Sequence, residues 1–332
     1  MMEFIRNKYI KLSILEKQKY IKIIKDNFEK NLAKQLNLTR VSAPLLVTPE
    51  SGLQDDLTGV ERKVSFDIKK DGKELEIVQS LAKWKRMALK KYNFKTNTGL
   101  YTDMLAIRRD DDMDEMHSIY VDQWDWEKVI ENSDRNFDYL KQTVKKIVKA
   151  IVQTNNYVKK NGFDGIDICP NVYFITSQDL LNLYPNKTAK EREYLITKQY
   201  KTVFIMQIGN NLSNGAPHDN RAPDYDDWSL NGDLLFYHEI LDCPIEISSM
   251  GIRVDAKAMM DQLKKANKTE RLEYEFHKAV LNNQLPLSIG GGIGQSRLCM
   301  LILGRAHVGE VQASYWDIDT LKICQQLGIE LL

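Results

Sequence analysis

A cluster of glycines followed by an arginine is the part of the sequence best suited to chemistry. Gly290, Gly291, Gly292 and Gly294 precede Arg297 and an apolar run. Glycines let the backbone adopt dihedrals that other residues avoid, and they let another surface come close. A planar ring on the glycines, with phosphates near Arg297, would use these features, whereas a glycine turn before a core helix is the simpler alternative. The spacing matches neither the G-x-G-x-x-G fingerprint nor the G-K-[ST] phosphate loop.

Three charged residues are candidates for binding phosphates, one directly and two through a metal ion. Arg108 follows the apolar residues 104–107 and precedes a charged run, so it is a candidate phosphate clamp at a strand end. Glu246 lies between two isoleucines. A carboxylate in such surroundings needs a cation, which could be Mg²⁺ carried by a nucleotide or a neighbouring lysine or arginine. Asp233, at the start of the preceding predicted strand, could share that metal.

An amide and a carboxylate follow apolar residues on one face of a predicted strand. With a period of two, Gln123 and Asp125 share the face of Ile119 and Val121. A pocket lined by these groups suits a small amino acid, whose ammonium pairs with a carboxylate and whose acid group needs donors. The alternative is a sheet whose upper end is simply solvated.

Two irregular segments carry further acidic residues. Asp55 lies in the predicted loop 48–62, and residues 209–229 form the longest irregular stretch, which contains Asp224 and Asp226. Long loops in compact domains often act as lids over a site. Much of this acidity could equally serve solubility alone.

The composition narrows the class of protein. The 332 residues include 47 Lys+Arg and 46 Asp+Glu, and this balance argues against a general nucleic-acid binder. The four cysteines form no C-x-x-C pair, so we expect reduced thiols and a cytoplasmic protein. No apolar run approaches the ~20 residues that span a bilayer. Since no linker or repeat divides the chain, we expect residues 1–332 to form one domain without membrane or nucleic-acid partners.

Hydrophobic periodicity and turn signals predict an α+β domain with one large, mainly antiparallel sheet flanked by helices. Residues 1–40 form a predicted helical segment that leads into a strand whose Pro44 favours an edge or an interface. The predicted strands are 41–47, 64–68, 74–78, 100–108, 117–126, 171–176, 202–208, 233–238 and 244–249. The predicted helices are 13–37, 127–160, 178–182, 188–200, 256–283 and 296–303.

Together these features resemble the catalytic domain of class II aminoacyl-tRNA synthetases. The strand with Pro44 resembles that class's first motif, a dimer element. Arg108 resembles the arginine of the second motif, which binds the ATP α-phosphate, and Arg297 resembles the γ-phosphate arginine of the third. Gln79-Ser80 followed by Lys85 resembles a segment with which aspartyl-tRNA synthetases hold aspartate. Glu246 followed by Arg253 resembles the metal glutamate and substrate-carboxylate arginine of the same enzymes.

Five longer segments resemble ammonia-dependent asparagine synthetases, also called aspartate–ammonia ligases. They occur in this order over residues 80–298 and read SLAKWKR, YVDQWDWE, RAPDYDDWS, SSMGIRVDA and IGGGIGQSRL. The resemblance covers nearly the whole chain, which contains no separate anticodon-binding domain. It implies synthesis of asparagine from aspartate, ammonia and ATP through β-aspartyl-AMP, with Mg²⁺ as cofactor, in a homodimer. Because residue 2 is Met and the first cysteine is Cys169, an N-terminal cysteine for glutamine use is lacking, and we expect ammonia as the nitrogen source.

The same resemblance implies roles for individual residues. The expected ATP-binding residues are Arg108, Gly290, Gly291, Gly292, Gly294 and Arg297. The expected aspartate-binding residues are Ser80, Lys85, Ser118, Gln123, Asp125, Ser248, Ser249 and Arg253. Mg²⁺ is expected at Glu246 and Asp233, and Asp55 or Asp226 is expected to orient ammonium and accept its proton. A stand-alone enzyme that passes its adenylate to tRNA or protein, and a non-catalytic paralogue that binds an amino acid or AMP, remain as alternatives.

Overall fold

The computed structural model describes residues 9–55, 57 and 61–332. Residues 1–8 of the predicted N-terminal segment, and residues 56 and 58–60 of the predicted 48–62 loop, lie outside this part. Within it, the helices are α1 (Ile14–Leu36), α2 (Ala82–Lys91), α3 (Phe137–Lys160), α4 (Ser177–Leu183), α5 (Ala189–Tyr200), α6 (Ala256–Lys265), α7 (Glu275–Leu281), α8 (Gln295–Leu303) and α9 (Ile318–Leu327). The strands are β1 (Leu38–Arg40), β2 (Leu46–Val47), β3 (Ser65–Asp67), β4 (Glu74–Ile77), β5 (Gly99–Ile107), β6 (Tyr120–Val129), β7 (Tyr173–Thr176), β8 (Thr202–Met206), β9 (Asp226–His238), β10 (Cys243–Arg253) and β11 (Ser288–Gly294).

One large mixed sheet organises these elements. Its strand order is β1-β5-β6-β11-β10-β9-β8-β7, and β2, β4 and β3 form a smaller sheet. The β1–β5 and β7–β8 pairs at the two edges are parallel, whereas the strands between them pair antiparallel. The predicted α+β class with a large sheet and flanking helices is therefore confirmed, with parallel pairing added at the edges.

Helix α1 covers one face of the large sheet. Ser13 and Glu16 form a capping box at its start, and Asn37 ends it in the left-handed conformation. The predicted apolar stripe, which includes Phe28 and Leu32, is buried. The Phe28 ring contacts Trp124 of β6 with a centroid distance of 4.7 Å, so the stripe anchors α1 on the sheet.

The glycines of β11 form a central strand, not the turn or platform loop that their composition suggests. None of Gly290, Gly291, Gly292 and Gly294 has a positive φ. Their lack of a side chain is used for close approach instead. A Cβ on Gly291, for example, would lie 2.6 Å from the Cβ of Met250 on β10. Of the two uses of glycine, this strand therefore shows close approach and not an unusual backbone conformation.

The ends of several other strands and helices differ from the predicted ones, because pairing with distant strands overrides the local sequence pattern. The predicted strand 41–47 is replaced by β1 and β2 on either side of Pro44, and each joins a different sheet. Strand β6 continues to Val129, so α3 begins at Phe137, where the Asn136 side chain accepts from the backbone N–H of Tyr139. Helix α9 was not predicted from the sequence.

Among the described residues, no helix is both long enough and apolar enough to cross a membrane.

The packing of α1 gives a stability prediction. Leu32 is fully buried, whereas Leu15 on the same helix is 63% exposed. Leu32→Ala removes buried methyl groups and leaves a cavity, so we expect it to lower the free energy of unfolding by about 2–5 kcal/mol. Leu15→Ala, the matched control, should change it by less than about 0.5 kcal/mol. Chemical denaturation measures both, and equal losses would contradict the burial pattern.

Candidate active site

A cavity of about 800 Å³ lies on the face of the large sheet opposite α1. Along β6, Trp124 and Trp126 point into the core beneath α1, so Gln123 and Asp125 point the other way. The predicted site residues on the cavity wall are Asp55, Ser80, Lys85, Arg108, Ser118, Gln123, Asp125, Asp226, Glu246, Ser249, Arg253, Gly291, Gly292, Gly294 and Arg297. The wall does not include Gly290, Ser248 or Asp233.

Two arginines reach this cavity without a carboxylate partner among the described residues. Arg108 donates through Nε to the backbone oxygen of Gln79 at 3.3 Å. Arg297 donates through Nη1 to the backbone oxygen of Glu246 at 3.2 Å and through Nε to that of Met116 at 3.3 Å. Burial raises the pKa of Asp111, and the charges of Arg108 and Arg297 oppose this rise, so this carboxylate lies near both arginines. Since neither guanidinium forms an ion pair within the described residues, the two groups are suited to an anion such as a polyphosphate.

Glu246 faces the same part of the cavity with a half-buried carboxylate. This carboxylate has no hydrogen bond or ion pair within the described residues, so it is available to a cation. Asp233 instead pairs with Arg221, which itself lines the cavity. Burial raises the pKa of Asp233 to about 7; the Arg221 charge opposes this rise, and the Glu246 carboxylate adds to it. Glu246 and Asp233 are therefore close, but only Glu246 reaches the wall.

A β-bulge explains why Ser248 is absent from the wall. Pairing between β9 and β10 shifts register between Glu246 and Ser248. The extra residue reverses the side-chain alternation beyond it, so Ser249 shares the cavity face with Glu246. Ser248 is buried, and its hydroxyl has no partner in the described structure. Ser248, one of the expected aspartate-binding residues, therefore does not lie on the cavity wall.

The amino-acid-sized end of the cavity is built on β6 and α2. Lys85 donates to the backbone oxygen of Gly291 at 2.9 Å and pairs with Asp125 Oδ2 at 3.0 Å. The other carboxylate oxygen of Asp125, Oδ1, is buried and has no partner among the described residues. A Cβ on Gly292 would overlap the Gln123 amide and lie 2.8 Å from Asp125 Oδ1. Glycine at 292 therefore leaves room for both polar groups.

A buried charge network forms the deep wall of this end. Arg253 donates through Nη2 to Glu127 Oε2 at 2.7 Å and through Nε to Glu127 Oε1 at 2.9 Å. Its Nη1 pairs with Asp226. Burial raises the pKa of Asp226, although Arg253 opposes the change. Gly290 was expected to bind ATP, but a Cβ there would overlap Glu127 Oε2 and lie 2.6 Å from Arg253 Nη2. Gly290 makes space for the network instead.

Asp55 supplies a further carboxylate oxygen near these groups. Its Oδ1 accepts from the backbone N–H of Leu57 at 2.9 Å. Its Oδ2 is buried and has no partner within the described residues. Burial raises the pKa of Tyr225 well above its usual value, and the negative charges of Asp55 and Asp226 raise it further. Because such charges act over short distances, the three side chains lie close together. Such a cluster favours a bound cation.

The acidic irregular segment is more than a solvated lid. Asp224 is fully buried, where it pairs with Lys83 at 3.3 Å, Arg271 at 2.8 Å and His277 at 3.0 Å. Strand β9 begins at Asp226, so the predicted irregular stretch ends earlier than expected. These contacts hold the segment against α2 and α7, next to the cavity.

Sequence reasoning missed three residues near the site. Glu127 continues the period of two beyond Gln123 and Asp125, and this pattern could have identified it. Arg221 is a cation within an acidic segment, which is a weaker signal. The position of Tyr225 depends on how the segment folds over the sheet, so no local pattern indicates it.

The fold places the protein in a class. It is similar to the asparaginyl-tRNA synthetase of Entamoeba histolytica in complex with asparaginyl-adenylate, with a TM-score of 0.65 and 13% identity over 92% of this chain and 68% of that one. The aspartyl-tRNA synthetase of the same organism gives a TM-score of 0.62 and 14% identity, covering 94% and 64% of the two chains. The architecture is therefore that of a class II aminoacyl-tRNA synthetase catalytic domain.

Sequence comparison identifies the family within this class. The aspartate-ammonia ligase family model matches residues 15–328. The aspartate–ammonia ligase of Clostridium tetani is 56% identical over 94% of this chain and 92% of its own length. That of Fusobacterium nucleatum is 54% identical over 97% and 98%. The chain belongs to the aspartate–ammonia ligase family.

The Asp224 cluster gives a prediction about pH. Burial alone would raise the pKa of Asp224, but Lys83, His277 and Arg271 hold it far below its usual value. A carboxyl with a lowered pKa contributes stability that is fully present above its unfolded pKa of about 3.9 and is lost as the pH falls. We therefore expect Asp224→Asn to lower the free energy of unfolding at pH 7, with a smaller difference from wild type near pH 3.

Denaturant unfolding at the two pH values measures this difference. Asp164→Asn is the control, because the Asp164 side chain is 95% exposed and its nearest lysine nitrogen is 3.7 Å away. It should change unfolding little at either pH. A difference for Asp224→Asn that is equal at pH 7 and pH 3 would contradict the assignment of the lowered pKa to this ion cluster.

Proposed function

We propose that this chain is an aspartate–ammonia ligase that converts L-aspartate, ammonia and ATP into L-asparagine, AMP and pyrophosphate. Family membership at more than 50% identity over nearly the full chain supports the activity. One observation carries the proposal for the site. Arg108 and Arg297, which form no ion pair within the described residues, share a single cavity with Glu246 and the Lys85–Asp125 pocket. A triphosphate and a small amino acid can therefore be bound side by side.

The phosphates of ATP bind Arg108 and Arg297, and the nucleotide lies on the strand that contains Gly291, Gly292 and Gly294. Mg²⁺ is held at Glu246, with Asp233 as a second candidate behind it. The donor set fits, because Mg²⁺ is usually bound by one or two carboxylates together with substrate phosphates, not by a cage of protein groups. When bound, the ion would neutralise charge that develops on the phosphates.

Aspartate occupies the other end of the cavity. Its ammonium is held by the unpartnered oxygen of Asp125, with Gln123 beside it. Its α-carboxylate faces Arg253 and Lys85, which leaves the side-chain carboxylate directed towards the phosphates. Ser80, Ser118 and Ser249 offer further polar contacts on the wall. A side-chain oxygen of aspartate attacks the α-phosphorus, pyrophosphate leaves, and β-aspartyl-AMP forms. The contribution of the chain is to orient the two reactants and to provide fixed charges.

Ammonia then attacks the activated acyl carbon, and AMP leaves as the C–O bond breaks. The nitrogen must lose a proton to a base in this step. Asp55 has a buried carboxylate oxygen without a partner among the described residues, which suits it to hold ammonium. Asp226 is the second candidate, and its pKa, raised by burial, makes it a better proton acceptor than an ordinary aspartate.

We also propose that the chain forms one catalytic domain and works in the cytoplasm as a homodimer. The resemblance of the segment around Pro44 to a dimer element supports self-association, and Leu45 next to it is 49% exposed.

The nitrogen donor tests the proposed function. We expect purified protein with ATP, Mg²⁺ and aspartate to form asparagine and AMP in equal amounts when ammonium is supplied, and little asparagine with glutamine. Amino-acid analysis and AMP quantification measure the two products. Equal use of glutamine would refute the donor assignment. Aspartate-dependent ATP–pyrophosphate exchange without free asparagine on addition of ammonium would favour an enzyme that passes its adenylate elsewhere.

Two substitutions separate the half-reactions. Arg297→Ala removes a fixed phosphate contact, so we expect aspartate-dependent ATP–pyrophosphate exchange to fall on the order of 10²–10³-fold. Asp226→Asn should reduce asparagine formation more than exchange at saturating aspartate, because the proton acceptor is needed only in the second step.

Arg109→Ala is the control for these variants. Arg109 neighbours Arg108 but is exposed and lies outside the cavity wall. It should leave both half-reactions close to wild type. Equal loss of exchange and asparagine formation in Asp226→Asn would refute its role in handling the ammonium proton.

A further inference from the structure

We propose that Glu127 is a positioning residue that aims the Arg253 guanidinium at the α-carboxylate of aspartate, the carboxylate that does not react with ATP. This inference rests on the proposed function, because it assigns that carboxylate to Arg253. Glu127 is fully buried and lies outside the cavity wall, so it acts through Arg253 and does not touch the substrate.

The contacts define which edge of the guanidinium is occupied. An arginine has five N–H donors in a planar fork. Glu127 accepts from Nε and from one Nη2 hydrogen of Arg253, along the side edge of the fork, at 2.9 Å and 2.7 Å. The remaining Nη1 and Nη2 hydrogens form the end of the fork. Since Arg253 lines the cavity and Glu127 lies behind it, this end is the edge presented to a ligand.

The surroundings of Glu127 hold it in this orientation. Ser288 donates its hydroxyl hydrogen to Glu127 Oε1 at 2.7 Å. Gly290 leaves the space that the carboxylate and Arg253 Nη2 occupy, because a Cβ there would overlap Glu127 Oε2. Burial alone would raise the pKa of Glu127, but Arg253 holds it below its usual value, so the carboxylate is charged at neutral pH.

Stability alone is a weak reason for this arrangement. Desolvating two paired charges costs about as much as their attraction returns, and apolar replacements of similar volume are often as stable. The Glu127–Arg253 pair is nevertheless fully buried directly beneath the cavity. A guanidinium fixed in a bidentate pair loses little freedom when a substrate carboxylate binds its end, which Arg253 shares with Asp226.

Asp226 makes the role of Glu127 more specific. Asp226 pairs with Nη1 of Arg253, on the edge that the substrate carboxylate needs. Without Glu127, Arg253 could turn towards Asp226 and away from the ligand. Glu127 therefore keeps the guanidinium directed at the cavity while Asp226 and the substrate share its end.

Glu127→Gln tests this inference, because it keeps the size of the side chain and removes its charge. We expect the KM for aspartate to rise about 10- to 10²-fold, as a misplaced substrate contact typically produces. The KM for ATP and the kcat at saturating aspartate should change less than about threefold. Gly290→Ala displaces the same pair from the other side and should give the same selective rise. Ser288→Ala removes one hydrogen bond to Glu127, so we expect it to raise the KM for aspartate by a smaller factor.

Glu310→Gln is the matched control. Glu310 is also fully buried and lies near an arginine, Arg305, but it is not on the cavity wall. It should lower thermal stability without changing the KM for aspartate. If Glu127→Gln does not fold, the KM for aspartate of Gly290→Ala and of Ser288→Ala tests the positioning role instead.

Aspartate affinity is also measured by calorimetry on each folded variant, so that the result does not depend on turnover. A loss of aspartate affinity confined to the Glu127, Gly290 and Ser288 variants supports the inference. Folded variants with unchanged aspartate affinity, or with an equal loss for ATP, overturn it. Wild-type protein that binds aspartate yet forms no asparagine from ammonium would instead refute the proposed function.

Discussion

Space for buried charge at the centre of the sheet is the constraint on which this structure depends. Strand β11 lies between β6 and β10, and it has glycine at 290, 291 and 292. The volume that its side chains would fill is taken by Glu127 and Arg253 above Gly290, and by Gln123 and Asp125 above Gly292. The polar groups of two strands can therefore meet over a third. This close approach, not a special backbone conformation, is the reason for the glycines.

The charged residues of the site fall into two groups with different roles. Deep in the sheet, Lys85 pairs with Asp125, and Arg253 pairs with Glu127 and Asp226. At the other end of the cavity, Arg108 and Arg297 meet only backbone oxygens in the described structure. In the deep group, the attraction between paired charges offsets the free energy of removing them from water. Arg108 and Arg297, which form no such ion pair among the described residues, suit a ligand that brings several negative charges.

The similarity to tRNA synthetases shows that this fold is kept when most of the amino-acid sequence differs. At 13% identity, the asparaginyl-tRNA synthetase of Entamoeba histolytica shares the fold. Helices α1, α3 and α8 cover one face of the mixed sheet, and the cavity lies on the other face, where α2 packs against β6. The fold thus provides the surface, whereas the chemistry depends on the charged residues placed there.

The sequence by itself determined the elements with strong periodicity, including the buried stripe of α1, the β3–β4 hairpin and the family to which the chain belongs. It also indicated Arg108, Gln123, Asp125, Glu246 and Arg297, because residue types at strand ends and on alternating faces are local features. Only the tertiary structure decided that Gly290 makes room for Glu127, that a bulge brings Ser249 to the cavity instead of Ser248, and that Asp224 is buried among cations. Each of these depends on which distant strand or helix lies beside the residue, and one-dimensional spacing does not contain that information.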